Sequence, residues 1–344
     1  MRTILFLCLI SLGNQVHATE RPNFVLVFTD DQGWTDTSVP MMDGVSESRS
    51  DFYRTPALER LAGNGMVFSN AYACAPTCTP SRAGIQFGKT PCRLRQTVVH
   101  DVLAADRGID LKDQVSLAQM IKRADAAYVT GHFGKWGFHP RSPEHAGYDN
   151  SDGNTNNGEG DYLSHQDKVR LPPDDPKRIF SVTRRANEFI EEQVRCGRPF
   201  FVQVSHYAVH VGHDALPVTI EKYKTIPKGS KCKRSDYETP APRQNQWMLS
   251  YAAMIEDLDT GLGMLLDQLE ELGVADQTYV IFTSDNGGDF RSNRPLRGGK
   301  GQLWEGGIRV PTVVAGPKVP RGQQCDLPIA GWDLYATIND LAGG

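Results

Sequence analysis

The 344-residue sequence predicts an α/β protein with a large, mostly parallel central sheet and helices on both of its faces. Short apolar runs rich in β-branched and aromatic residues, which are typical of buried strands, alternate with segments of helical periodicity. Strands that alternate with helices join in parallel, and a parallel sheet is covered on both faces. Such sheets bind their ligands beyond the carboxyl ends of the strands, so the residues at those ends indicate function.

The individual elements follow from local patterns. Four apolar runs are predicted as strands: Asn23–Phe28, Ala127–Thr130, Phe200–Val204 and Tyr279–Phe282. Thr55 followed by Pro56 predicts a helix start, and apolar residues spaced three and four apart from Met248 to Leu269 predict a long amphipathic helix. Two polar segments, 150–160 and 221–243, contain many glycines or prolines and are predicted to be excursions from the core, neither sheet nor long helix.

The first 18 residues are predicted to be a signal peptide. Arg2 precedes an apolar stretch from Ile4 to Leu12, and Val16-His17-Ala18 fits a cleavage site. The alternative is a buried N-terminal strand. Because a signal peptide directs export, we expect a periplasmic, secreted or lysosomal-type compartment. No other segment approaches the ~20 apolar residues of a membrane helix, so we expect no membrane span. With 37 Lys and Arg against 41 Asp and Glu, the composition gives no indication of a nucleic-acid partner.

Two predicted strands end in clusters of oxygen ligands. Asp30 and Asp31 follow the first strand, and Asp285 and Asn286 follow the last strand of the four. Three carboxylates and an amide would converge at one sheet edge, and oxygen ligands suit a hard divalent cation, Ca²⁺ more readily than Mg²⁺. Either pair alone could also be a turn or a cap after a strand. Two such pairs favour a metal site.

Cations and proton donors recur in the same topological position. Lys135 follows the second strand, His210 follows the third, and Lys300 lies in a glycine-rich stretch together with Arg294 and Arg297. Each residue alone could be an ordinary surface or hydrogen-bonded residue. Beside a metal, such groups suit the transfer of a highly charged anionic group.

Cys78 stands four residues before Arg82, with Pro80 between them, at what the sequence indicates is the start of a helix. Without the signal peptide six cysteines remain at irregular spacings, so a disulfide or a buried thiol is the alternative to a chemical role for Cys78. A bridge to Cys74 would need unusual geometry if both lie on one helical turn.

Together these motifs resemble the type I sulfatases of the alkaline-phosphatase-like superfamily, over nearly the whole mature chain. Cys78-Thr79-Pro80-Ser81-Arg82 matches the family signature C-x-P-S-R. The match continues at Gly134-Lys135-Trp136, His210, Ser284-Asp285-Asn286-Gly287, Gly298-Gly299-Lys300-Gly301 and Trp304-Glu305-Gly306-Gly307. The resemblance implies an arylsulfatase-like sulfuric ester hydrolase with the alkaline-phosphatase-like fold.

The resemblance also implies the chemistry. A separate formylglycine-generating enzyme would convert Cys78 to Cα-formylglycine, whose hydrate attacks sulfur and passes through a covalent sulfo-enzyme intermediate. One Ca²⁺ would be held by Asp30, Asp31, Asp285, Asn286 and the modified residue 78. Arg82 and Lys135 would steady the diol, while Lys300 and His210 would bind the sulfate and protonate the leaving alcohol. A sulfated glycan or small molecule is the implied substrate.

The chain departs from the family pattern in two places. The family continues Gly-Lys-Trp with His-Leu-Gly, whereas this chain has Gly137-Phe138-His139, so the expected histidine is glycine and His139 is the candidate substitute. The chain ends at residue 344, near what resembles the last helix of the large domain, so we expect residues 19–344 to form the catalytic domain without the family's small C-terminal domain.

Two other functions fit parts of the sequence. A phosphatase or phosphonate hydrolase of the same superfamily would use the same metal and cations, although a Thr or Ser nucleophile would then be expected in place of Cys78. A secreted, non-catalytic binder of sulfated glycans is suggested by Gly137, the early stop and several lysines. These lysines are Lys222, Lys224, Lys228, Lys231 and Lys233.

Overall fold

The computed structural model describes residues 21–99, 114–137, 142–160, 172–227, 242–288 and 293–344. The predicted signal peptide, His139 and Lys228, Lys231 and Lys233 lie outside these ranges. Within them, no helix has the length and apolar composition that crossing a membrane requires.

An eight-stranded sheet forms the centre of the molecule, in the order β5-β4-β6-β1-β7-β8-β2-β9. The strands are β1 Asn23–Thr29, β2 Gly65–Phe68, β3 Ala71–Tyr72, β4 Val129–Gly134, β5 Asn150–Ser151, β6 Phe200–Ser205, β7 Thr278–Ser284, β8 Val313–Ala315, β9 Gln323–Cys325 and β10 Ile329–Ala330. In this order the first five strands, β5, β4, β6, β1 and β7, pair in parallel, and β8 is antiparallel to both of its neighbours. Strands β3 and β10 form a separate pair. The predicted fold class is confirmed.

Helices flank this sheet in chain order. They are α1 Pro56–Gly63, α2 Cys78–Phe87, α3 Pro91–Leu94, α4 Leu117–Ala124, α5 Asn157–Gly160, α6 Ile179–Arg195, α7 Pro217–Thr225, α8 Pro242–Glu271, α9 Glu305–Ile308 and α10 Asp333–Leu341. Short 3₁₀ turns occur at Ser46–Ser48, Glu144–Ala146, Pro176–Arg178 and Ala275–Gln277. The helix start at Pro56 and the long helix over 248–269 are confirmed.

Two hydrophobic cores lie on opposite faces of the sheet because successive side chains of a strand alternate between its faces. Val25 and Val27 of β1 pack with residues of α1, α6 and α8. Phe24, Leu26 and Phe28 pack on the other face with residues of α2, α4 and α10. Every residue of β1 is therefore buried, which explains its continuous apolar sequence.

Two sequence-based boundaries were wrong. The second predicted strand extends to Gly134, so His132 and Phe133 lie inside β4 rather than after it. The segment 150–160 was expected to contain no sheet, yet Asn150 and Ser151 form the edge strand β5 and pair with β4. An edge strand needs backbone partners on one side only, so it can be short and polar and lacks the apolar run used to recognise strands.

Candidate active site

The two acidic strand ends lie side by side. Thr29 of β1 is in register with Ser284 of β7, so Asp30 and Asp285 follow on adjacent strands. Asp285 donates its N–H to the Thr29 carbonyl at 3.0 Å, and Asp31 donates its N–H to Asp285 Oδ1 at 3.1 Å. Asp31 has a φ of +64°, a left-handed conformation that aspartate tolerates better than most residues. This bend follows directly after β1 and leaves both aspartate side chains in the cluster at the end of the sheet.

Four predicted site residues form one cluster. Single ligand atoms of Asp30, Asp31, Cys78 and Asp285 all lie within 4.8 Å of one another, and all four residues are buried. Asn286 Nδ2 donates to Asp31 Oδ1 at 2.8 Å. Its Oδ1 atom is buried and has no hydrogen-bond partner among the described residues. An unsatisfied amide oxygen beside three carboxylates fits the donor set of a Ca²⁺ site.

Cys78 is the first residue of α2, with Thr77 at the helix N-cap position. Its Sγ lies 3.5 Å from Asp30 Oδ1 and 3.8 Å from Asp31 Oδ1. Burial raises the pKa of this thiol, and the three neighbouring carboxylates also raise it, against the effect of Lys135. Cys74 is a separate free thiol. A Cβ at Gly84 or Gly331 would lie 2.6 or 2.9 Å from its Sγ, so Cys74 packs against those two glycines.

The buried side chains of Arg82 and Lys135 form ion pairs that compensate the negative charge of the carboxylates. Arg82 Nε and Nη2 lie 2.9 and 2.8 Å from Asp285 Oδ2, and Nη1 donates to the Lys135 carbonyl at 2.9 Å. Lys135 Nζ lies 2.5 Å from Asp30 Oδ2. Burial alone would raise the pKa of Asp30, but Lys135, His210, Arg82 and Lys300 lower it well below its usual value. Burial and the nearby Asp30 raise the pKa of Asp285 to about 7, against the effect of Arg82.

Lys300 and His210 occupy the accessible side of the cluster. Lys300 Nζ lies 2.6 Å from Asp31 Oδ2 and its side chain is 26% exposed, while the Arg82 and Lys135 side chains are at most 2% exposed. His210 Nε2 lies 3.8 Å from the same Asp31 oxygen, and burial lowers the pKa of this histidine. Burial would lower the pKa of Lys300, but Asp31, Cys78 and Asp30 raise it. A substrate would therefore reach the cluster past these two residues.

Residue 137 also faces the cluster. A Cβ at Gly137 would lie 3.1 Å from Arg82 Cδ and 3.7 Å from Lys135 Cε. The Gly137 carbonyl accepts a hydrogen bond from Thr79 Oγ1 at 3.1 Å, which ties this loop to α2. His139, the candidate substitute at this loop, lies outside the described residues.

The structure brings together every predicted site residue that it describes, and it adds one that the sequence reasoning missed. Asn157 Nδ2 lies 3.3 Å from His210 Nε2, and its Oδ1 is buried without a partner in the described part of the chain. Asn157 belongs to the polar segment 150–160, which was read as an excursion. The many polar residues of this segment are compatible with a role at the site, but the sequence does not indicate which of them lies close to His210.

Comparison with known proteins identifies the family. The family model Sulfatase matches residues 22–344. The chain belongs to the sulfatase family. The resemblance predicted from the motifs is therefore confirmed, and the alkaline-phosphatase-like fold with it.

This sulfatase-family chain is similar to longer curated proteins. It is 28% identical to arylsulfatase J of Mus musculus over 352 residues, which cover 95% of this chain and 53% of that protein. It is also 28% identical to N-acetylgalactosamine-6-sulfatase of Homo sapiens, with 95% of this chain and 63% of that protein covered. The chain thus spans between half and two thirds of the length of these two relatives.

Solved structures share the fold over nearly the whole chain. The crystal structure of Ps i-CgsB superposes with a TM-score of 0.75 at 25% identity, covering 94% of this sulfatase-family chain and 72% of that one. The same protein has been solved in complex with k-i-k-neocarrahexaose. The phosphonate monoester hydrolase of Agrobacterium radiobacter has a TM-score of 0.67 at 19% identity, with 94% of this chain and 74% of that chain covered. That likeness is one of fold alone.

Proposed function

We propose that the protein hydrolyses sulfate esters, with Cys78 converted to Cα-formylglycine and one Ca²⁺ bound beside it. The observation that carries the proposal is the position of Cys78. It begins a helix within the C-x-P-S-R sequence, and its Sγ lies 3.5 Å from Asp30 among three carboxylates and three cations. The family membership and the relatives named as sulfatases support sulfate as the transferred group.

An unmodified thiol would be a poor nucleophile at this position. The thiolate is the reactive form of cysteine, and in the metal-free site burial and the carboxylates raise the pKa of Cys78 against the effect of Lys135, so the protonated form is favoured there. The hydrated aldehyde of formylglycine would instead supply a hydroxyl nucleophile for attack on sulfur. This contrast supports the modified residue over thiol chemistry.

The cation would be held by Asp30, Asp31, Asp285 and Asn286 through oxygen atoms. It would supply positive charge that acidifies the nucleophilic hydroxyl. The fit rests on the buried Asn286 Oδ1, which has no hydrogen-bond partner within the described ranges, and on the charge balance, because three carboxylates here face three cationic side chains. A divalent cation then leaves a net positive site, which suits an anionic ester.

The four basic residues divide into two groups by burial. Arg82 and Lys135 are buried beside Cys78 and would hold the nucleophile in position through charge and hydrogen bonds. Lys300 and His210 face the accessible side, where they would bind the sulfate group and donate a proton or hydrogen bond to the leaving oxygen. His139, two positions after Gly137 in the sequence, remains a candidate for proton transfer.

The proposal extends to context. A formylglycine-generating enzyme would act on the chain during maturation, residues 19–344 would form the catalytic domain, and the predicted signal peptide would direct export. Relatives named for an N-acetylgalactosamine sulfate ester and a neighbour solved with a neocarrahexaose favour a sulfated sugar as the substrate class. Small aryl sulfates would serve as test substrates.

The proposal is tested by mass spectrometry and kinetics together. The protein is produced with and without a formylglycine-generating enzyme, and the peptide containing Cys78 is weighed. We expect loss of sulfur from that residue and turnover of an aryl sulfate only in the first preparation, with aryl phosphate and phosphonate turned over far more slowly. Equal turnover by the unmodified protein would contradict the nucleophile, faster phosphate turnover would favour a phosphatase, and modified protein without turnover would favour a binder.

A further inference from the structure

The loop Gly134–Gly137, which carries Lys135, continues past the end of β4. On the β6 side the sheet pattern persists, because Lys135 donates its N–H to the Ser205 carbonyl at 2.8 Å. On the opposite side β5 ends at Ser151, so the strand ladder stops before the loop begins. The backbone groups of Gly134, Trp136 and Gly137 therefore need other partners, since unpaired buried backbone groups are costly.

Asp152 supplies the first of these partners. The Gly134 N–H donates to Asp152 Oδ2 at 2.7 Å. The same carboxylate is held by Arg185 of α6, whose Nε and Nη2 lie 2.7 Å from Oδ1 and Oδ2. A bidentate Arg–carboxylate pair fixes the orientation of both groups. The start of the loop is thereby anchored to α6.

Thr155 supplies three more of these partners. Its Oγ1 donates to the Gly134 carbonyl at 2.5 Å and accepts the Trp136 N–H at 3.0 Å. Its carbonyl accepts the Gly137 N–H at 3.0 Å. Thr155 is buried, with 9% relative exposure. A single hydroxyl group thus donates one hydrogen bond before Lys135 and accepts another after it. A side chain of the same size that lacks a hydroxyl group cannot make these two bonds.

The geometry points to Thr155, assisted by Asp152, as a positioning residue for Lys135. We propose that these contacts fix the lysine loop so that two interactions form together. One is the 2.5 Å contact of Lys135 Nζ with Asp30, and the other is the 2.9 Å hydrogen bond from Arg82 to the Lys135 carbonyl. A shift of the loop would displace both cations beside Cys78. The hydrogen bonds of Thr155 described above go to the backbone of this loop and not to the side chains beside Cys78.

The inference rests on the proposed function, in which Lys135 acts on the nucleophile. A displacement of about 1 Å in such a group can lower the rate ~10²-fold. We expect Thr155→Val, which keeps the shape and removes the hydroxyl, to lower kcat about 10- to 100-fold with KM changed less than about threefold. Thr155→Ser should restore kcat to within about threefold of the wild-type value, because it restores the hydroxyl.

Thr183→Val is the matched control. Thr183 is fully buried, and its Oγ1 donates to the Ile179 carbonyl at 2.9 Å within α6 and not to the backbone of the Gly134–Gly137 loop. The control should keep wild-type kcat even where it loses stability. Asp152→Asn provides a second variant of the loop contacts, and we expect the same fall in kcat without a rise in KM.

A crystal structure of Thr155→Val gives a readout that does not depend on turnover. We expect the Lys135 Nζ–Asp30 contact to lengthen in this variant and to persist in Thr183→Val. Wild-type protein that carries formylglycine and has no turnover would refute the proposed function, while the contact distance would still test the positioning. Wild-type kcat in Thr155→Val, an equal loss in Thr183→Val, or an effect confined to KM would refute the positioning role.

Discussion

Removing the Arg82 guanidinium tests the charge balance of the site directly. Its side chain is 1% exposed, lies against Asp285 through two nitrogens and donates to the Lys135 carbonyl. The substitution Arg82→Met keeps a long unbranched side chain and removes the charge and the donors. In calcium-free protein, Asp285 would then lose its closest cationic partner while remaining fully buried.

The expected loss of stability follows from the burial of both members of the ion pair, Arg82 and Asp285. Removing one member of a buried ion pair costs about 3–5 kcal/mol when the other charge stays buried and uncompensated. This is an upper value here, because Asp285, whose pKa is already raised to about 7, can bind a proton instead. With an unfolding entropy of about 2.1 cal/mol/K per residue, the roughly 280 residues that the structure describes give about 0.6 kcal/mol/K, so Tm should fall by up to about 5–8 °C. With calcium bound the fall should be smaller, since the cation also compensates Asp285.

Thermal unfolding followed by circular dichroism, with a chelator and with saturating Ca²⁺, measures both values. The double variant Arg82→Met/Asp285→Asn should recover part of the loss in chelator, because a neutral amide needs no cationic partner. A loss below about 1 kcal/mol in chelator, or a double variant whose losses simply add, would refute the account of Arg82 as the buried counter-ion of Asp285.

Two further changes probe the metal and a helix cap. Asp285→Ala should abolish Ca²⁺ binding and turnover together, measured by calorimetry and by aryl sulfate hydrolysis, and full activity with undiminished bound metal would rule out this ligand. Asp259 accepts the N–H groups of Ala57 and Leu58 at the start of α1 at 2.8 and 2.9 Å, and burial raises its pKa to about 7. Because this folded-state pKa exceeds the unfolded value of about 3.9, its contribution to stability is greatest below about pH 4 and declines as pH rises toward 7. The free energy of unfolding of Asp259→Asn should therefore depend less on pH over this interval than that of the wild type, and parallel curves would contradict the assignment.

The metal-ligand candidates were predictable because they sit at strand ends. A buried parallel strand is recognisable from its apolar run, as β1 and β7 are. The carboxyl ends of parallel strands lie at the same edge of the sheet. The sequence therefore predicts that the polar residues that follow, Asp30 and Asp285, lie at the same edge of the sheet. The antiparallel strand β8 and the two-residue β5 were missed because they are short and carry no periodic signal.

The supporting contacts were not predictable, because they join segments by tertiary folding alone. Thr155 binds backbone groups about twenty positions earlier in the chain, and Asn157 contacts His210 from the same polar segment. Any of several hydroxyl and amide residues there could make such bonds, and spacing does not distinguish between them. Between β5 and these residues the chain turns at Gly153, which has a φ of +80°, and the sequence does not specify which side chains this turn brings toward the site.

At residue 137 the chain has glycine where the family pattern has histidine, and the sequence and the structure each explain part of this difference. The sequence marks a missing histidine, and the structure shows which neighbours that side chain would have met, since a Cβ at residue 137 points toward Arg82 and Lys135. Gly137 has a φ of +79°, a conformation that other residues adopt only with strain, so the local backbone itself favours glycine here. The loop that Thr155 anchors therefore combines two features: a lysine held on one side of Cys78, and a backbone shape in which residue 137 contributes space instead of a side chain. Residue 137 therefore supplies no side chain for proton transfer, and His139, two positions further along the sequence, is the candidate that the sequence offers.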